Sequence, residues 1–375
     1  MYGDKQNYVK RPVIKRGTAD DAYKIQALPS PSGKYPYHLN FPSSEEPHSS
    51  FLSFNMVGDT GGIKSPQFQQ QIAEQMGLQT KDQLFPTQFL YHLGDIVYHF
   101  GEKEQYEKQF FKPYSSFPAP IYAIAGNHDA DVNYANPVPY KSLNAFMSVF
   151  CDSRPGDYYF SDHVTRKNQK QPNVYWTLNT AHATIIGLYG NVPKFGYIDE
   201  EQQGWFIKEL IRAGEMQKDK AIIVCIHHAP YSADTNHGSS LAMIGVLEDS
   251  YEKAGVLPDI VFSGHVHNYQ RFSKQYANGK IVPYIVAGSG GFDELHVLAT
   301  TDDSQFSTDN EYFHGVTLEN YSLRQHGFMK VIVKKEKGRF TLTCEYYTMM
   351  HELQTPPKPA QLYDTITLNL KRDTN

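Results

Sequence analysis

Five short apolar runs in this chain each end at a polar residue able to bind a cation, and that repetition constrains the fold more than any other feature. FLSFNMV runs into Gly58-Asp59-Thr60-Gly61-Gly62, TQFLYHL into Gly94-Asp95, and APIYAIA into Gly126-Asn127-His128-Asp129. AIIVCI ends at His227-His228, and PDIVFSG at His265-Val266-His267. Between them lie helix-favouring stretches, SPQFQQQIAEQMG, EKEQYEKQFF and IDEEQQGWFIKELIRAG. In the last, Phe206/Leu210 and Ile207/Ile211 repeat at i, i+4, and Gly214 reads as the stop. Strand, polar turn, helix and strand make a βαβ unit. In such folds ligands bind outside the carboxyl ends of the strands. Asp59, Asp95 and Asn127 follow one another at 36 and 32 residues, about one unit each. The pattern predicts an α/β fold whose strand ends supply carboxylate, carboxylate, amide, imidazole and imidazole to one crevice.

The remaining sequence fills in around that frame. NVYWTLNT, ATIIGLYG and PYIVAGSGG read as further strands, MKVIVKKEKGRFTLTCEYY as a hairpin turning near Lys337-Gly338, and YDTITLNL as a late strand. Residues 1–50 carry Pro12, Pro29, Pro31, Pro36, Pro42 and Pro47 among Ser, Gly and charges, and read as a loop-rich extension that either wraps the body or forms an arm. The body is predicted as one domain over 51–375, with a Pro-, Asn- and Tyr-rich insertion at about 131–172.

Charge and composition exclude several classes of partner. Lys+Arg 35 against Asp+Glu 40 leaves −5, which offers no long-range field for nucleic acid or an anionic membrane. No run of eighteen apolar residues exists to span a bilayer. Cys151, Cys225 and Cys344 are too few and odd in number for a disulfide framework, and read as buried thiols. The N-terminus lacks the apolar stretch of a signal peptide, so the expected location is cytoplasmic, or secreted or periplasmic if a leader has been removed. Oligomeric state is not legible.

The cluster residues differ in what they can do. On an extended segment, His265 and His267 point to one face, and two converging imidazoles suit a metal. A mixed set of carboxylate, amide and imidazole favours a first-row transition ion over calcium or a thiolate site. The GSGG at 288–291 lacks the Lys-Ser/Thr of a phosphate loop and reads as a strand-end turn. His228 reads either as a partner behind the ligands or as a packed histidine, with the latter slightly favoured. For Tyr269 and Arg271 pocket-lining and structural roles stay open, and His296 and His314 are minor candidates for the substrate side.

Taken in order, GDTG (58–61), GDIVY (94–98), GNHD (126–129), VCIH (224–227) and GHVH (264–267) resemble the five-block signature of the calcineurin-like metallophosphoesterases, and within them the small single-domain purple acid phosphatases. The resemblance implies a four-layer α/β/β/α sandwich of two mixed sheets with a binuclear centre at the strand ends. It places Asp59, Asp95, Tyr98 and His267 on a first metal and Asp95, Asn127, His227 and His265 on a second, with Asp95 bridging. Other branches carry a histidine where this chain has Gly61, and Tyr98 compensates. A phenolate is a hard anionic donor, so the first site is expected to take Fe(III) and the second Fe(II), Zn or Mn. Two carboxylates and a phenolate leave such a pair with net positive charge, which attracts a phosphate anion and acidifies bound water.

The implied reaction is hydrolysis of a phosphate monoester, on a small ester or a phosphoprotein, by a metal-activated hydroxide. His128 and His237 are the implied proton donors to the leaving group. A phosphodiesterase using the same metals is the alternative. A non-catalytic metal-binding interaction module, suggested by the 131–172 segment, is a third reading.

Overall fold

The computed structural model describes residues 7–41, 50–151, 170–336, 339–350 and 358–370. Two mixed sheets carry the chain. In the six-stranded sheet, the strands Phe51–Val57, Leu90–His92 and Ile121–Ala123 run parallel. Beyond Phe51–Val57 the order continues antiparallel through Gln325–Glu336, Arg339–Met350 and Gln361–Asn369. In the eight-stranded sheet the parallel core is Ala183–Leu188, Ala221–Ile226, Ile260–Ser263 and Ile281–Ala287. AIIVCI is buried at every position, as expected of a parallel strand covered on both faces.

The sheets face each other across an aromatic layer. Tyr91 of the smaller sheet stacks near Trp176 of the larger at 5.8 Å between ring centroids, and the Trp176 indole N–H donates to the Ala123 carbonyl at 3.1 Å. The helix Pro66–Gln79 packs on the Gln325–Glu336 strand, while Glu200–Glu215 packs on Ala183–Leu188 and on a second helix, Leu241–Ala254. This is the α/β class and the paired mixed sheets that the motif order implies.

Several local expectations are corrected. In the Glu200–Glu215 helix, Phe206 and Leu210 are buried together with Trp205, Glu209 and Ala213, whereas Ile211 is 43% exposed. The Ile207/Ile211 pair therefore lies off the core face. Gly214 does not stop the helix, which runs one residue further; a Cβ there would sit 2.7 Å from the Val256 side chain, so close helix packing selects the glycine. The helix Leu241–Ala254 has no counterpart in the sequence reading, although both ends carry signals. Ser240 caps its start by accepting from the Met243 N–H, and Gly255 ends it at φ +65°. The strands Tyr269–Gln275 and Val316–Ser322 also went unread, because charged and polar residues interrupt their alternation.

The described part of 1–50 lies along the body. His38–Asn40 pairs parallel with Trp176–Asn179, and Ile14–Lys15 pairs with Phe306–Ser307. Part of the 131–172 insertion (152–169) and the Lys337-Gly338 turn lie outside the described residues; the hairpin strands beside that turn pair in register, Glu336 opposite Arg339. Cys151, Cys225 and Cys344 are buried free thiols. Among the described residues, no helix is long and apolar enough to cross a membrane.

Candidate metal centre

The parallel strands of both sheets end at the same place, and their following loops are stitched together. The Asp59 N–H donates to the Gly94 carbonyl (3.0 Å), Gly58 to Ala287 (2.9 Å), and Gly264 to His227 (3.0 Å). Asp59, Asp95 and His265 adopt φ of 58°, 52° and 68°, a left-handed region that costs a non-glycine residue energy. Three strained positions among seven candidate ligands fit strand ends bent sharply enough to aim side chains across a crevice.

The seven side chains come together in two groups around Asp95 and Asp59. His227 Nε2 lies 3.3 Å from Asp95 Oδ2 and 3.1 Å from Asn127 Oδ1, and His265 Nδ1 lies 2.9 Å from the same amide oxygen. Donor atoms of Asp95, His227 and His265 all fall within 4.8 Å of one another. On the other side the Tyr98 hydroxyl is 3.3 Å from Asp59 Oδ1 and 3.2 Å from His267 Nε2. His267 Nε2 is also 3.6 Å from Asp59 Oδ1.

The far nitrogen of each imidazole decides what the near one presents. His227 Nδ1 meets the Leu93 carbonyl at 2.8 Å, His265 Nε2 the Lys194 carbonyl at 2.9 Å, and His267 Nδ1 the Glu294 carbonyl at 3.0 Å. A carbonyl only accepts, so each of these nitrogens carries the proton, and a neutral ring then turns a lone pair to the crevice. Around Asp95 the His227 and His265 lone pairs face carboxylate and amide oxygens that are also acceptors, whereas that of His267 meets the Tyr98 hydroxyl. Acceptor against acceptor at about 3 Å needs a proton or a cation between, so the donor set fits metal ions.

Charge in the cation-free protein answers the same demand. Burial weighs most heavily on Asp95, against ionisation, but the neighbouring His227 and His128 charges and hydrogen bonds together outweigh it and hold the carboxyl below its ordinary range. His227 is pushed up to about 9, burial being outweighed by Asp95, Asp59 and the Leu93 carbonyl together. Burial, aided by the Asp95 charge, raises Asp59 to about 7. Burial and then the neighbouring His296 lower His267 to about 3, which keeps its ring neutral. One proton shared at Asp95 and His227 thus stands in for positive charge the pocket is built to hold.

Three residues that carried no role in the sequence reading hold this geometry. Asp129, last of the GNHD block, is fully buried and accepts from the N–H groups of Gly126 (2.9 Å), Ile96 (2.9 Å) and Val97 (3.1 Å), tying the Asp95 and Asn127 loops together. Gln109 brackets the Tyr98 peptide, accepting from its N–H at 3.0 Å and donating to its carbonyl at 2.7 Å. A readable signal existed, since Gln109 interrupts the aromatic face of Tyr106 and Phe110. Phe292 lies against the Tyr98 ring (4.1 Å) and the His267 ring (4.6 Å), and no local pattern marked it.

Of the candidate proton donors, one lies against Asp95 and Tyr98 and the other against His265 and His267. His128 is half-buried, its N–H donates to Asp95 Oδ1 (2.9 Å), and its Nδ1 meets the His99 carbonyl (2.7 Å). His237 sits with its ring 4.1 Å from that of His265, and burial pushes it well below the ordinary histidine range. His228 is buried with its ring 4.6 Å from His265. Of the two minor candidates, His296 stacks on His267 at 4.3 Å, whereas no contact carries His314 to this crevice among the described residues. Tyr269 and Arg271 both bind Asp364 of the last strand, at 2.7 and 2.8 Å, which is a structural clamp. In GSGG the Gly290 N–H donates to the Gly58 carbonyl at 3.1 Å, so the segment is a strand-end turn.

Comparison with known proteins agrees with this arrangement. The family profile described as calcineurin-like phosphoesterase matches residues 54–269, more than half of the chain. Human tartrate-resistant acid phosphatase type 5 is 24% identical over 68% of this chain and 77% of its own length. Purple acid phosphatase 18 of Arabidopsis thaliana is 25% identical over 68% of this chain and 52% of its own. Among solved structures, GAP50, described as the anchor in the inner membrane complex of Plasmodium, covers 86% of this chain and 90% of its own at TM-score 0.56 and 16% identity. PhoD covers 91% and 71% at TM-score 0.51 and 13% identity. These two likenesses speak for the fold.

Proposed function

Since the chain belongs to the calcineurin-like phosphoesterase family, we propose that it is a binuclear, purple acid phosphatase-like enzyme that hydrolyses phosphate monoesters. What supports the reading most is the convergence of His227 Nε2, His265 Nδ1 and Asn127 Oδ1 beside Asp95, where each is an acceptor once the proton shared by Asp95 and His227 is displaced. Asp59, Asp95, Tyr98 and His267 would hold one cation, and Asp95, Asn127, His227 and His265 the other. The Tyr98 phenol favours Fe(III) at the first; imidazole and amide suit Fe(II), Zn or Mn at the second. Two such cations supply Lewis acidity toward a phosphoryl oxygen and lower the pKa of water.

The protein's own part is alignment and proton transfer. Leu93, Lys194 and Glu294 hold three imidazoles in one tautomer through their carbonyls, so no reorganisation is needed when substrate arrives. An in-line displacement leaves an alkoxide that needs a proton. His128 is the better-suited donor: it is half-buried, near solvent, and its ring is oriented by the His99 carbonyl. His237, half-buried too but held neutral by its surroundings, suits hydrogen bonding to a phosphoryl oxygen instead.

Turnover of an aryl monophosphate against a bis-aryl phosphate tests the substrate class. The monoester reading expects the monophosphate to be preferred by at least about tenfold in kcat/KM, the size of one lost charge-assisted contact. A preference for the diester would assign the same centre to a phosphodiesterase.

A further inference from the structure

A second group of donors lies just outside the seven. Asp234, His237 and His296 each place one ligand atom within 4.8 Å of the others. Asp234 is fully buried, and its two carboxylate oxygens have different surroundings. Oδ2 accepts from the backbone N–H groups of Asn236 (3.0 Å) and His237 (2.7 Å). Oδ1 has no hydrogen-bond partner, and neither has the buried Nδ1 of His237. His296 Nδ1 stands 3.4 Å from that Oδ1, and its lone pair meets the His267 N–H only at 3.4 Å, a long contact that a cation would replace. The Asn236 amide lies 3.1 Å from His296 Nε2 and can rotate to accept from it.

Leaving a buried carboxylate oxygen and a buried imidazole nitrogen unsatisfied is costly, and the two orphans here share a third donor. One carboxylate and two imidazoles are a common three-ligand set for zinc, with ligand distances of about 2.0–2.2 Å and a fourth position left open. We propose that Asp234, His237 and His296 form a third, separate divalent-cation site of zinc-like preference, set against the outer faces of His265 and His267. The His237 ring lies 4.1 Å from His265 and the His296 ring 4.3 Å from His267, so an ion there adjoins the pair without sharing a ligand with it. An ion there takes the His237 lone pair, which ties occupancy of the site to the state of a group beside the substrate.

Zinc counted per chain after equilibration of the full-length protein with excess zinc and removal of free metal tests the site. Asp234→Asn keeps an oxygen for the two backbone N–H groups and is expected to lower the count by one. His296→Phe keeps a ring against His267 and is expected to lower it by one as well, which covers misfolding of either variant. The same decrement is expected when Asp234→Asn is made in an Asp95→Asn background. An unchanged zinc count in both folded single variants would overturn the site and leave Asp234 and His296 as an ordinary ion pair. Failure of the binuclear reading has a different signature, an Asp95→Asn protein with the full wild-type count.

Discussion

The Tyr98 ring, with the Gln109 amide that brackets its peptide, fills the space that a side chain on residue 61 would need: a Cβ on Gly61 would clash with Gln109 Oε1 and come within 2.8 Å of Tyr98 Cδ2 and of the Ile96 carbonyl oxygen. The glycine of the GDTG block and the tyrosine of the GDIVY block are therefore one choice made at two places. Gly61→Ala should displace Tyr98 from Asp59 and His267, costing about 1–3 kcal/mol through overpacking and about 10- to 100-fold in activity through the lost support. Urea unfolding together with an aryl phosphate assay checks both.

Tyr98→Phe separates the ring from its hydroxyl. The phenyl ring keeps its place against Phe292 (4.1 Å), so the variant is expected to fold with little change in Tm. If the first cation is Fe(III), the oxidised wild type absorbs visible light through phenolate-to-iron charge transfer and the variant does not. A colourless, iron-free wild type with full activity would assign both positions to divalent ions.

Asp129 should matter for stability before chemistry. It is the buried acceptor of three backbone N–H groups, and an unsatisfied buried donor costs roughly 1–3 kcal/mol. Asp129→Ala is expected to lower unfolding free energy by several such units and to release the Asp95 loop, whereas Asp129→Asn keeps one accepting oxygen and should lose less. Denaturant titration of the two variants orders them.

Metal uptake should strengthen with rising pH. Asp59 at about 7 and His227 at about 9 hold protons in the cation-free protein that a metal must displace. Both folded values lie above the ordinary ones. Their contribution to the cation-free fold is therefore complete below the ordinary pKa and is lost as pH rises through about 7 for Asp59 and about 9 for His227. The cation-free Tm is expected to fall across that interval while the rise in Tm on adding metal grows. A metal-induced shift that shrinks from pH 6 to pH 9 would contradict it.

Much of this centre is written locally in the chain. An apolar run followed by Gly-Asp or Gly-Asn needs no tertiary knowledge to read as a strand end, and AIIVCI before His227 is buried throughout as its composition demands. His265 and His267 are two apart, so their common face follows from strand geometry. What was not legible depends on contacts between distant segments. Phe292 reaches Tyr98 from about 190 residues away. Ile211 follows Ile207 at the same i, i+4 spacing as Phe206 and Leu210 yet is exposed, because the core face of that helix is set by the strand Ala183–Leu188 and the helix Leu241–Ala254 it packs on. Asp234 and His296 belong to segments that carry no motif, and a bridge between Asp234 and Leu298 brings them together.

The most direct test of the central claim is the turnover of an aryl monophosphate by folded Asp95→Ala and His227→Ala proteins, measured beside their metal content. Asp95 is 3.3 Å from His227 in one group of donors and interacts with the Tyr98 hydroxyl of the other. The account predicts that each variant keeps its circular dichroism, loses bound metal, and loses about 100- to 1000-fold in turnover, as removal of a principal electrostatic stabiliser does. Folded variants that hydrolyse the ester at the wild-type rate would contradict it.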